Sequence, residues 1–230
     1  MTVSRRHITT FRAAALPAAV AALAFAFAFA PAASAQTTGG MEAATSVLDV
    51  RPASLAQRTL RIAGEVGADA AGRTVRIERQ QADGQWETVA TAVADADGAF
   101  AARWVTDAPG RYVLRATVEH EPATAEAATA GELFARVSVF APATASWYGP
   151  GFFGRQTACG TRLTRRTLGV AHRTLPCGTR VEVYHRNRTV VVPVIDRGPF
   201  VAGRQWDLTQ AAAEAIGLRE TSRVGILRAP

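Results

Sequence analysis

There is no lysine in this chain; all 26 basic residues are arginine. Every positive charge is therefore a planar guanidinium, always protonated and shaped to grip carboxylates. Long apolar runs are equally scarce. Only Ala13 to Ala30 approaches the length of a bilayer span, and no later segment comes near it. Arg5 and Arg6 precede this run, Pro17 and Pro31 interrupt it, and Ala33-Ser34-Ala35 follows as a small-x-small site. That order reads as a secretory signal peptide over residues 1–35 rather than a retained anchor. No cysteine stands at the cleavage site, so no lipid anchor is expected. The mature chain is expected outside the cytoplasm, in the periplasm or at the cell wall, without an integral membrane segment. Ser4-Arg5-Arg6 alone does not decide between general and twin-arginine export.

Cysteine is nearly absent as well. Cys159 and Cys177 are the only two, and in an exported protein such a pair reads most simply as a disulfide. Closing that loop is worth roughly 3 kcal/mol. With His172 the pair offers three zinc-type ligands, but a fourth ligand and the C-x-x-C spacing are missing. A Cys–His peptidase fits poorly, because Ala158-Cys159-Gly160 and Pro176-Cys177-Gly178 place neither thiol at a helix N-terminus. No metal and no cofactor are expected.

Charge divides the chain. Gln36 to Thr144 holds ten arginines against fourteen carboxylates, whereas Ala145 to Pro230 holds thirteen against five. An acidic front and a basic back imply two domains with different partners. An exported protein rarely meets nucleic acid, so an anionic polymer of the cell envelope suits the basic half better.

The front half reads as short strands at regular spacing: 47–50, 59–66, 74–79, 86–92, 99–104, 112–118 and 133–140. Asp83-Gly84, Asp97-Gly98 and Pro109-Gly110 supply turns between them. Seven strands in this length suggest an immunoglobulin-like β-sandwich over residues 43–140, with Trp86 and Trp104 in its core. No acid–base cluster stands out there, and a spacer or binding module is expected. Ala141-Pro142-Ala143-Thr144 reads as a short, stiff linker. Beyond it, residues 145–230 suggest a compact closed barrel. Its strands are expected at 145–148, 168–172, 180–185, 189–195 and 224–227, with one helix over 209–216 capped by Thr209 and ended by Gly217. A monomer is expected.

The stretch that carries chemistry is Val192-Pro193-Val194-Ile195-Asp196-Arg197-Gly198-Pro199-Phe200. An apolar strand delivers a carboxylate to its end, and a Gly-Pro turn follows at once. Upstream, Ala171-His172-Arg173-Thr174-Leu175-Pro176 places a histidine in a similar strand-to-turn setting. An acid and an imidazole on neighbouring strands form either an active site or a buried hydrogen bond.

Five blocks then occur in order: Ala145-Ser146-Trp147-Tyr148-Gly149, Gly154-Arg155-Gln156-Thr157-Ala158, Ala171 to Thr179, Ile195 to Phe200 and Trp206-Asp207-Leu208-Thr209. Together they resemble the double-psi β-barrel domain of the rare lipoprotein A family, over nearly all of residues 145–230. The resemblance implies a six-stranded barrel with one short helix. It also implies lytic transglycosylase activity on peptidoglycan glycan strands stripped of stem peptides, with His172 and Asp196 as the functional pair. Three departures are visible. The family's usual Thr-Ala-Asn-Gly-Glu is here Thr157-Ala158-Cys159-Gly160-Thr161, the lipid-bearing cysteine is missing, and so is the glycan-binding repeat domain many members carry.

That chemistry requires one carboxyl group able to give and take a proton, because the muramic acid's own 6-hydroxyl attacks its anomeric carbon. Asp196 is the candidate, and its apolar strand favours the protonated form. His172 either orients Asp196 or contacts the sugar. Asp207, just before the helix, reads as structural. Trp147 and Tyr148 either floor a sugar subsite or fill the barrel, with core favoured for Trp147 and groove for Tyr148. Arg155, Arg173, Arg197 and Arg204 either line a groove for lactyl carboxylates or are plain solvated charge. The alternative function is a non-catalytic, expansin-like wall-binding protein, and a third is a domain that binds an envelope protein.

Overall fold

The structure is a computed structural model that describes residues 47–119 and 132–229. The signal peptide read at residues 1–35 lies outside the described residues. Among the described residues the chain is all-β with one short α-helix. The strands are β1 (Asp49–Val50), β2 (Ala53–Leu55), β3 (Thr59–Glu65), β4 (Thr74–Gln80), β5 (Trp86–Val93), β6 (Ala99–Val105), β7 (Gly110–Val118), β8 (Leu133–Tyr148), β9 (Val170–Ala171), β10 (Arg180–His185), β11 (Arg188–Asp196), β12 (Trp206–Thr209) and β13 (Ser222–Arg228). Helix α1 spans Gln210–Ile216, between β12 and β13.

The front lobe is built by alternation. Phe100, Ala102 and Trp104 on β6 and Leu60 and Ile62 on β3 point one way, into the small β1-β3-β6 sheet's inner face. Val75 and Ile77 on β4 and Leu114 and Ala116 on β7 come from the second sheet and share the same core. Each fully buried side chain of this size contributes roughly 1.5–3 kcal/mol. Trp104 is core, as expected. Trp86 is not. It begins β5, a strand paired only with β4, and its half-buried ring lies under the Arg115 guanidinium, 4.2 Å from the ring centre. Its pairing with Gln80 puts it on the outer face of that sheet, with Glu78, Arg115 and Phe134 and away from Val75 and Ile77, where the cation covers the ring.

Strand β8 is 16 residues long and belongs to both lobes. Its first half pairs with β7 as far as Val139, and its second half pairs with β13 from Ala141 to Ala145. Residues 141–144, where the sequence reads as a linker, are thus paired strand. Contacts on either side fix the junction. The rings of Phe140 and Tyr184 stack 5.1 Å apart, and Arg111 reaches both the Glu182 carboxylate (2.7 Å) and the Arg228 carbonyl (2.9 Å). Gly225 is required there by close approach. A Cβ at that position would lie 2.5 Å from Phe140 Cβ and 2.8 Å from Leu55 Cδ2.

In the back lobe, β8 pairs with β13, β13 with β10, β10 with β11 and β11 with β9. Strand β12 pairs with β9 on one edge and with β8 on the other, so the hydrogen-bonded path returns to β8. Val170, Val181, Val183, Val192, Val194, Trp206 and Leu208 fill the core with α1's Ala212, Ala213 and Ile216. The helix has the expected ends. Thr209 Oγ1 accepts from Ala212 N, and Gly217 takes the left-handed conformation (φ 69°) that closes the last turn.

Filling the Gly225 position should loosen the junction. Gly225→Ala is expected to lower stability by about 1–3 kcal/mol, the usual cost of overpacking. Urea unfolding would read this as a lower midpoint with an unchanged slope.

Candidate active site

A single irregularity aims the acid. Along β11, Val194 pairs with Val170, but Asp196 pairs with the very next residue of β9, Ala171. Ile195 is therefore an extra residue, a bulge that turns Asp196 off the core face of Val192 and Val194. Ile195 itself is buried where Gly169 leaves room; a side chain at 169 would collide with its Cδ1 and Cγ1 atoms. Strand β12 extends the line, with Asp207 opposite Ala171, and β8 extends it again, with Ser146 opposite Asp207. Cross-strand partners share a face, so Asp196, Ala171, Asp207 and Ser146 form one row over four strands. Tyr148, two residues beyond Ser146, lies on the same side. Ala171 and Ser146 are buried, so the row is recessed.

The Asp196 carboxylate is held by backbone. Its Oδ1 accepts from Ala158 N at 2.9 Å and Arg197 N at 2.8 Å. The Ala158 amide is steadied by its neighbour, since Cys159 N bonds the Ile195 carbonyl and the sulfurs of Cys159 and Cys177 lie at bonding distance. Beside the row, Tyr148 Oη is buried and completes no hydrogen bond of normal geometry with any described residue. Burial first, and then the negative charge of Asp196 and of Asp207, push the phenol pKa well above its ordinary value of 10.0. Tyr148 is thus a protonated donor aimed where two carboxylates lie close. Asp207 is engaged by the Ser146 hydroxyl, and Arg204 Nη1 lies 4.0 Å from it. Thr209, as expected, caps the helix that follows.

His172 does not bond Asp196 through its ring. Its backbone N–H donates to the Asp196 carbonyl at 3.2 Å, while its Nδ1 accepts from Thr174 N at 3.2 Å and Leu175 N at 3.0 Å. With Nδ1 occupied as an acceptor, the proton of the neutral ring sits on Nε2. Burial, followed by the charges of Arg197 and Arg173, lowers its pKa below 6.5. The ring lies 4.3 Å from Trp206, tilted by 47°.

The remaining sequence candidates separate clearly. Trp147 is not core: it is 36% exposed, and its Nε1 donates to the Arg219 carbonyl at 3.0 Å. It is the penultimate residue of β8, beyond Ala145 where the pairing with β13 ends. Arg173 binds the carbonyls of Pro199, Val201 and Arg204, and Arg197 binds those of His172 and Asp196. Both therefore shape loops around the acid. Arg155 is exposed over the Phe152 ring. Arg204 differs, because its buried Nε has no partner among the described residues. Sequence reasoning passed over Phe200, which follows the acid by four residues and stands 81% exposed. Its signal was present in the Ile195–Phe200 block, as an aromatic placed just after a Gly-Pro turn.

Residues 141–228 match the family model described as "Lytic transglycolase". The chain is 57% identical over 79 residues to the "Probable endolytic peptidoglycan transglycosylase RlpA" of Synechocystis sp., covering 34% of this chain and 25% of that protein. It is 50% identical over 76 residues to the protein of the same name from Aquifex aeolicus, covering 32% of this chain and 34% of that one. It is 47% identical over 76 residues to the "Endolytic peptidoglycan transglycosylase RlpA" of Campylobacter jejuni, covering 32% and 28%. The chain thus spans between a quarter and about a third of the length of these relatives. Residues 141–228 of this chain are thus similar to the lytic transglycosylase domain that these relatives share.

Proposed function

We propose that the chain is an exported enzyme that cuts peptidoglycan glycan strands endolytically, by lytic transglycosylation between MurNAc and GlcNAc. The observation that carries this reading is the Asp196 carboxylate, fixed on Oδ1 by two amides and recessed beside the buried Tyr148 phenol. The relatives' names point to the same substrate. In the proposed reaction the protonated Asp196 gives its proton to the leaving GlcNAc O4 as the bond from MurNAc C1 breaks. The carboxylate then takes the proton of the MurNAc 6-hydroxyl as O6 bonds to C1, so no water is consumed and Asp196 ends as it began. His172, neutral with its proton on Nε2, donates a hydrogen bond to the substrate rather than acting as the base. Tyr148 Oη donates toward the reacting oxygens, and the partly exposed Arg204 guanidinium faces a lactyl carboxylate. Phe200 and Trp147 offer exposed ring faces to sugars. Arg155, Arg173 and Arg197 support the walls.

In the same reading the path that returns to β8 is a closed six-stranded barrel, Cys159 and Cys177 form a disulfide, and the front lobe is an immunoglobulin-like sandwich that positions a monomeric enzyme. The competing reading, a non-catalytic and expansin-like glycan binder, draws on Thr161, which stands where the family commonly has glutamate.

Digestion of peptide-free glycan strands decides between them. The unaltered protein is expected to release anhydro-muramic products detectable by mass spectrometry, and Asp196→Asn to lower the rate at least about 10²-fold with an unchanged melting temperature. Pelleting with intact sacculi without any such products would instead support the glycan binder.

His172 supplies a second test. Its folded pKa lies below its unfolded value of 6.5, so the stability it contributes is complete above that pH and is lost as the pH falls toward the folded pKa. Nitrogen chemical shifts should show the Nε2–H tautomer at neutral pH and a midpoint below 6.5. An Nδ1–H tautomer would refute the donor role.

A further inference from the structure

Arginines without an ion pair also gather away from Asp196. Three cavities of about 480, 320 and 480 Å³ join end to end. The first and second share His185, Arg186 and Ser222; the second and third share Leu55 and Tyr184. Together they make one groove across the lobe junction, and its floor is the rigid contact of Gly225 with Leu55 and Phe140. Arg186, Arg188, Arg219 and Arg223 line its back-lobe part, and Arg51, Arg58 and Arg61 its front-lobe part. All seven are exposed, and none forms an ion pair among the described residues. Glu220 is the only acid in the lining.

This distribution is not what the two halves' net charges lead one to expect. The front lobe is acidic overall, yet it turns arginines toward this groove, while several of its others pair with carboxylates elsewhere. Guanidinium groups held near one another repel, and a bound polyanion removes that cost. Between Arg186 and Arg223 on one side and Arg58 and Arg61 on the other lie Tyr184, Leu55 and Gly225. A fitting ligand is therefore linear, with anionic groups spaced along it rather than clustered. The groove touches the candidate active site at one point, Arg219, whose carbonyl accepts from Trp147 Nε1.

We propose that this inter-lobe groove holds a further length of the carboxylate-bearing glycan strand, gripping its lactyl groups with arginines from both lobes. The proposal rests on the wall-glycan reading above. It gives the front lobe a direct share in binding and gives the enzyme a hold on strand beyond the bond it cuts.

The test uses the full chain carrying Asp196→Asn, so that labelled peptide-free strands bind without turnover. Two double variants, Arg186→Gln with Arg223→Gln and Arg58→Gln with Arg61→Gln, are each expected to weaken binding at least about fivefold and to flatten its salt dependence. Arg103→Gln with Arg136→Gln removes the same charge from exposed arginines that line none of these cavities, and should leave affinity unchanged. Strands whose carboxylates are converted to amides should bind the parent as weakly as unmodified strands bind the groove variants. Equal binding by all the double variants would overturn the proposal, as would indifference to amidation. Tight binding of poly(glycerol phosphate) alongside weak binding of carboxylated strands would overturn it in favour of a phosphate polymer. Cleavage is scored separately on the chain with Asp196 intact, so products without groove-dependent binding would sink only the groove, and groove-dependent binding without products only the reaction.

Discussion

Strand β12 is four residues long and hydrogen-bonded on both edges, to β9 and to β8. Remove it and Asp196 has a bulge to aim it but no second carboxylate, serine or tyrosine alongside. The double pairing places Asp207 between Ala171 and Ser146 and thereby ties four strands into one row. It also sets where α1 begins, since Thr209 ends the strand and caps the helix, and its Oγ1 accepts from Gly169 N as well. Gly169 in turn makes room for Ile195, the bulged residue. Row and helix start are thus consequences of one short segment being held from both sides. A segment so short has little strand propensity of its own; it is extended because its neighbours supply partners for its backbone.

The two lobes obey a similar logic of shared parts. A flexible linker would let each lobe bind independently, whereas β8 passes its hydrogen bonds from β7 to β13 without a break. The Phe140–Tyr184 stack and the bonds of Arg111 then fix what the strand joins. Rigidity matters for a long ligand, because a surface already in register does not have to be ordered when the ligand arrives.

Much of this was legible from residue pattern alone. Strand β10 runs from Arg180 to His185 as alternation and turns imply, and Thr209 and Gly217 bound the helix. The resemblance placed the acid, the histidine and the tyrosine in one domain. What escaped was non-local. Strand β12 gives no periodic signal in four residues, and its identity depends on two distant partners. Trp147 looked like core because aromatics in strands usually are, but it stands past Ala145, where the pairing with β13 ends and only β12 still flanks the strand. Pro142 within Ala141-Pro142-Ala143-Thr144 suggested a joint, yet residues on both sides of it remain paired with β13. The arginine groove could not be read at all, since sequence shows how much charge a half carries and not which side it faces.

The row also bears on why one carboxylate can be enough. Hydrolytic glycosidases use two carboxyl groups, one to protonate the leaving oxygen and one to serve as nucleophile or to activate water. Asp207 is the only other carboxylate in the row, and it is already engaged by Ser146 and flanked by Arg204. A carboxylate so occupied is poorly placed to take a proton from water. Its charge instead joins that of Asp196 and the burial of the ring in keeping the Tyr148 phenol protonated, a donor beside the single mobile acid. An intramolecular hydroxyl as nucleophile asks for no second base, only for one proton to be lent and returned. The proposed transglycosylation therefore fits this arrangement of Asp196, Asp207 and Tyr148 better than hydrolysis does, and it does so without the glutamate that Thr161 replaces.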